Sequence, residues 1–388
     1  MTKRVDKLGV AIAAIAAAGA FYAPLAVFRA NRIVAGEPRS ILEALPVAWA
    51  WLLLAVVVGA ALMAVLRTPV RLRLGTALVV LVALSLALGT AGRYLTPEGN
   101  TFARVSPGSG FWLLVFAFTL MLADALTRLR LSPAGRVGVL AVAAGAMALL
   151  LMSGTWDSLS ILKEYANRAD SFWSEAGRHV TLALGSLVSA VAVGIPVGIL
   201  CHRVRSIREP ILNVLNIIQT IPSIALFGIL IAPLGWIAAN VPGAAAIGIR
   251  GIGVAPAFIA LFLYSLLPMV ANTVVGLAGV PQAANDAARG MGMTDRQRLF
   301  GIEFPLAFPV ILTGIRIVLV QNIGLATVAA LIGGGGFGVF VFQGIGQTAM
   351  DLVLLGAVPT VALAFAAAII LDALVEISSG PGRTGATS

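Results

Sequence analysis

Blocks of about 18 to 25 apolar residues, broken by charged or Pro/Gly-rich stretches, recur from one end of the sequence to the other. Each is long enough to cross about 30 Å of hydrocarbon as a helix, the form in which a segment satisfies its own backbone polar groups. Of the 388 residues 60% are hydrophobic and only 11% charged, too little polar surface to cover a water-soluble fold. A transmembrane β-barrel would need segments of about ten residues in strict alternation, and runs such as 137–153 show none. The expected fold is an all-α polytopic membrane protein of about ten transmembrane helices. The spans fall near 8–28, 44–66, 74–92, 109–127, 137–153, 179–201, 211–235, 254–278, 308–332 and 352–375.

The net charge of +10 does not point to nucleic acid, because the basic residues form small clusters between apolar blocks rather than one stripe. Those clusters set the orientation instead, since cytoplasmic loops carry the Lys/Arg excess. With the N-terminus inside, sixteen of the 26 lysines and arginines fall on inner segments and nine on outer ones, with Arg316 alone inside a span. Both termini are expected on the cytoplasmic side of the membrane. The six tryptophans lie in or near outer ends of spans, where interfacial anchoring explains them and an aromatic cage for a quaternary ammonium is the sharper alternative. Cys201 is the only cysteine, and His179 and His202 are 23 positions apart, so neither a disulfide nor a metal site is expected. The first apolar block reads either as an anchor or as a cleaved signal peptide, and the tail 378–388 as disordered.

The polar stretch 154–178 separates five spans from five. The expected organisation is an N-terminal membrane extension over 1–153, a periplasmic connecting segment over 154–178 and a membrane core over 179–377.

The longest cytoplasmic polar stretch, Pro281 to Pro305, reads as two short helices. Pro281 suits a first helical position and Gly292 a helix C-cap, while Thr294 and Gln297 match a capping box for a second helix that Pro305 would end. Ala283, Ala284, Ala287, Ala288 and Gly290 keep the first helix thin enough for another protein's groove. Within this stretch, Asp286-Ala287-Ala288, three residues, Gly292, nine residues and Ile302-Glu303-Phe304-Pro305 resemble the EAA motif of binding-protein-dependent ABC importer permeases, with Asp for Glu and Phe for Leu. The stretches NIIQTIPS (216–223) and ATVAALIGGGGFG (326–338) are similar to permeases of glycine betaine, choline and proline betaine uptake systems, and the five extra spans to a longer subgroup of them.

The resemblance implies that the last five spans form a type I ABC importer permease core. It implies further that the 281–305 loop is a coupling helix, with Asp286, Ala287, Ala288, Gly292, Ile302, Phe304 and Pro305 in contact with, or fixing, an ATPase junction. The partners it implies are a cytoplasmic ABC ATPase, a second permease copy or paralogue and a periplasmic or lipid-anchored solute-binding protein. The sequence agrees on one point by itself. A phosphate-binding P-loop needs Gly-Lys followed by Ser or Thr, and none of the three lysines, Lys3, Lys7 and Lys163, follows a glycine. The chain is therefore read as a transporter subunit that binds no ATP cofactor itself. The alternatives are an ion-coupled secondary transporter and a membrane scaffold or export component.

Asn213, Asn216 and Gln219 recur every three residues on the seventh span, and Gln321 and Asn322 lie on the ninth. Such residues turn from lipid toward other helices or a translocation path. Arg316 requires a partner or a route to the interface, and Asp124 can pair with Arg128 one turn away. Gly333, Gly334, Gly335 and Gly336 read either as a gate or as a tight buried turn.

Overall fold

The computed structural model describes residues 5–31, 34–100 and 102–379. The chain divides into two compact units between Asn167 and Arg168.

In the first unit, α1 (Lys7–Phe21), α3 (Val47–Val65), α4 (Val70–Leu95) and α5 (Ser109–Leu129) share a core that includes Ile12, Val57, Leu84 and Phe118. At one end of this bundle Asp6 caps α1 by accepting from the Leu8 backbone N–H at 3.0 Å. Arg73, fully buried at the start of α4, donates to Asp6 at 2.5 Å, and Asp124 near the end of α5 takes Arg128 at 2.9 Å, the pairing its spacing predicts. At the other end β1 (Ala26–Arg29) lies between β2 (Glu37–Arg39) and β3 (Arg104–Pro107) in an antiparallel sheet, with Val27 opposite both Pro38 and Ser106. Pro38 is tolerated because β2 is an edge strand. A short α2 (Ile41–Ala44) leads from the sheet to α3, and α7 (Ser160–Asn167) closes the unit. The Trp156 indole donates to the Ser85 carbonyl at 2.8 Å. α6 (Pro133–Met152) buries none of its residues, as an apolar helix surrounded by lipid can.

Nine helices are long and apolar enough to cross a membrane among the described residues, against about ten expected. The tenth is α1, whose 15 residues rise about 22 Å. Its ends lie at the Asp6–Arg73 pair and beside β1, so the chain still traverses the bundle, finishing in extended form rather than as the helix expected to residue 28.

The second unit is built on α8 (Ala169–Arg203), α11 (Val254–Ala278) and α14 (Phe304–Val328), with α15 (Gly338–Gly346) and α16 (Met350–Ser379) packed beside α14. Close approach of α8 to α11 depends on Gly194 and Gly198: a Cβ would lie 2.7 Å from that of Met269 at the first and 2.5 Å from that of Thr273 at the second. This is the small-xxx-small device by which helices associate in lipid. Asn322 ties three helices together, donating to Ser186 at 2.8 Å and Ser265 at 2.9 Å.

Three expectations change here. The span expected at 211–235 is two helices, α9 (Arg205–Thr220) and α10 (Ser223–Asn240). Pro222 pushes Ile221 out of the helical region, to φ −68° and ψ 127°, and the Tyr264 hydroxyl donates to the freed Ile221 carbonyl. Residues 169–178, expected in the connecting segment, are the first turns of α8. Ser378 and Ser379, expected in a disordered tail, end α16, and the remainder of that tail lies outside the described residues.

Candidate functional site

Between α11 and α14 the chain forms a hairpin. Its first arm is α12 (Gln282–Gly290), which Gly292 stops in the left-handed region at φ +77°. The Gly292 N–H donates to the Arg289 carbonyl at 2.9 Å and Met293 N–H to that of Ala288 at 3.1 Å, so the last carbonyls of α12 are satisfied. Thr294 then caps α13 (Asp295–Arg298), exchanging hydrogen bonds with Gln297 as a capping box. The sequence correctly places both turns. Pro305 does not end the second helix, however. Five residues, Leu299–Glu303, form a π-helical turn that runs directly into α14, with the Phe304 N–H reaching back to Leu299. Pro305 follows the π turn directly, at the start of α14, and the helical backbone continues through it.

The hairpin has one face turned in and one turned out. Ala288 is 1% exposed, and Ile302 and Phe304 are half-buried, whereas Asp286, Ala287, Gly292 and Pro305 are exposed. Met291 and Phe300, 73% and 60% exposed, add apolar surface outside. Three residues that the motif reading passed over hold the inner side. Glu303 is 3% exposed and accepts from Arg298 Nε at 3.1 Å and from Arg203, the last residue of α8, at 2.6 Å. Arg298 also reaches Asp295 at 2.8 Å. A carboxylate between an apolar Ile302 and Phe304 is the sequence signal for such a brace, because a buried charge requires partners.

The polar residues within the spans do not form one cluster. Asn213 and Asn216 are exposed on α9, while Gln219 is committed to the backbone, donating to the Tyr264 carbonyl at 2.7 Å. Asn322 is fully buried in its serine bonds, as packing glue would be, and its neighbour Gln321 faces a cleft with Arg316. Arg316 pairs with Asp372 of α16. Gly333, Gly335 and Gly336 all have positive φ, and Gly334, Gly335 and Gly336 are buried. The Gly336 N–H donates to Glu175 at 2.6 Å and Phe337 N–H to His179 Nδ1 at 3.3 Å, the geometry of a tight turn packed against α8.

A bundle of apolar spans with a braced, outward-facing hairpin ahead of its penultimate long helix defines a membrane transporter subunit. Residues 194–379 match the family described as binding-protein-dependent transport system inner membrane component, and residues 6–162 match the N-terminal domain described for the ABC transporter permease YehY. The osmoprotectant import permease protein OsmW of Salmonella typhimurium is 41% identical over 199 residues, 51% of this chain and 86% of that protein. The choline transport system permease protein OpuBB of Bacillus subtilis is 36% identical over 200 residues, 52% of this chain and 83% of that one. The chain belongs to this family of ABC importer permeases, with an N-terminal unit in addition. Among solved structures, an inward-facing MetNI methionine ABC transporter chain matches with a TM-score of 0.47 and 20% identity, covering 55% of this chain and 96% of that one.

Proposed function

We propose that this permease imports a small quaternary ammonium osmoprotectant such as glycine betaine, driven by a separate cytoplasmic ABC ATPase that docks on the α12–α13 hairpin. A second permease, identical or paralogous, completes the path, and a periplasmic or lipid-anchored binding protein delivers the solute. Relatives named for osmoprotectant, carnitine and choline import support the solute class. The single observation that carries the coupling role is the hairpin itself: small and exposed at Ala287, capped at both turns, and braced inside by Glu303. A docked ATPase that shifted this arm would pull on α8 through Arg203 and on α14 through the continuous π turn, which is how alternating access would reach the spans.

In this reading both termini are cytoplasmic, as the Lys/Arg distribution favours. Residues 1–153 are an extension, 154–168 an outer connecting region and 169–379 the permease core. Asn213, Asn216 and Gln321 line the path; Gln219 and Asn322 shape it through the helices they tie. Gly333 to Gly336 act as an outer gate by releasing the Gly336–Glu175 bond.

The test is uptake of glycine betaine into vesicles that hold the whole complex, with ATP inside and the proton gradient dissipated. ATP-dependent accumulation is expected. Uptake that follows an imposed ion gradient and ignores ATP would make the chain a secondary transporter instead.

A further inference from the structure

Between α14 and α16 lies an open cleft of about 600 Å³, with Arg316, Gln321 and Asp372 as its polar lining and Ile317, Val320 and Ile369 as its apolar wall. Arg316 is twelve residues from either end of α14, and Asp372 is seven from the end of α16. The two pair, yet their side chains remain 34% and 41% exposed. That exposure decides what the cleft can face. Charges within hydrocarbon are costly and turn toward a bundle interior or a water-filled cavity, so the open side of this pair faces protein or water rather than lipid tails.

We propose that this cleft is a transit site for a small zwitterion bearing a quaternary ammonium and a carboxylate. The inference deepens the solute reading given above and rests on it. Arg316 presents a planar fork of donors suited to a carboxylate. Asp372 supplies the negative charge for an ammonium that has no N–H to donate. Gln321 adds an amide donor toward the carboxylate, and the wall of Ile317, Val320 and Ile369 receives the methyl groups. When the cleft is empty, Arg316 and Asp372 neutralise each other. When the zwitterion enters, each exchanges its partner for the opposite end of the solute, so no charge is left unpaired at either stage. Because entry must break an existing ion pair, the site binds weakly, as a point of passage requires.

The test compares glycine betaine with choline, which keeps the ammonium and lacks the carboxylate, in vesicles holding the complete importer with its binding protein. Uptake is normalised to assembled complex. R316Q is expected to lower glycine betaine uptake by about tenfold or more and choline uptake by less than about threefold, shifting the ratio between them. If R316Q fails to assemble, R316Q/D372N removes both charges together and leaves neither orphaned, and it is expected to lower uptake of both solutes by about tenfold. An unchanged ratio in R316Q, or near wild-type uptake of both by R316Q/D372N, would make the pair a structural brace and overturn the inference while the solute reading stands. A wild-type complex that imports neither compound would overturn the solute reading and the inference with it.

Discussion

Arg203 donates to Glu303 at 2.6 Å across one hundred positions of sequence, joining the last residue of α8 to the root of the hairpin. Glu303 also accepts from the buried Arg298, and removal of the carboxylate would leave Arg298 without its main partner. Glu303→Ala is therefore expected to lower unfolding stability by on the order of 2 kcal/mol, below the range for a fully buried pair because Arg203 is a third exposed. Thermal unfolding of the purified chain checks this, and a double-mutant cycle with Arg203→Ala should return a coupling energy above zero.

Gly292 and Ala288 should fail for different reasons. At φ +77° a β-branched residue is strained, so Gly292→Val should cost about 1–2 kcal/mol through backbone conformation, with open space around the added side chain. Ala288 has ordinary helical geometry but no room, and Ala288→Leu should cost about 1–3 kcal/mol by overpacking. Amide hydrogen exchange over α12 would show protection lost in both variants, while Gly292→Asn retains it because Asn tolerates the left-handed region.

Asn322→Leu should destabilise the second unit only modestly, by about 1 kcal/mol, the scale of interhelical hydrogen bonds in membranes. Ser186 and Ser265 keep their bonds to the Leu182 and Leu261 carbonyls, both 2.6 Å, so neither hydroxyl is orphaned. Unfolding in mixed micelles measures the difference. A loss several times larger would mean that Asn322 does more than tie helices together.

The Asp6 cluster predicts a pH response in the first unit. Burial acts to raise the Asp6 carboxyl, but hydrogen bonds from Arg73, Gly9 and Leu8 and the Arg73 charge together hold it below the usual carboxylate range. A carboxyl depressed in the folded state contributes stability that is present above its unfolded value, about 4, and is lost as pH falls through the folded value. The protection factor at the start of α1 in the full chain, the observed hydrogen exchange divided into the intrinsic rate at each pH, should be steady from about pH 7 to 5 and fall below about pH 4. Asp6→Asn should show the reduced protection already at neutral pH.

Hydropathy placed the long helices because a bilayer leaves little else for such segments to do: the span expected at 254–278 coincides with α11 at both ends. It failed where length and apolarity were satisfied but local chemistry intervened. Pro222 sits inside an apolar block, and the restriction it places on Ile221 splits the expected seventh span. Pro305 looked like a helix stop, yet the π turn absorbs its missing N–H and lets α13 run on into α14. In the hairpin, Gly292, Thr294 and Gln297 were legible because caps are local devices. The Arg203–Glu303 and Arg316–Asp372 pairs were not, since they join residues 100 and 56 positions apart and depend on tertiary placement.

The most direct measurement of the central claim is a pull-down of the tagged chain from gently solubilised native membranes, in parallel with an Ala287→Trp variant. Ala287 is exposed on the outer face of α12, so the added ring should leave insertion and folding intact while filling the space a docking partner needs. Recovery of a P-loop ATPase with the wild type and its loss with Ala287→Trp, at equal membrane levels of both chains, is the predicted result. An ATPase that comes down equally with both, or with neither, would contradict the assignment of this hairpin as the coupling element.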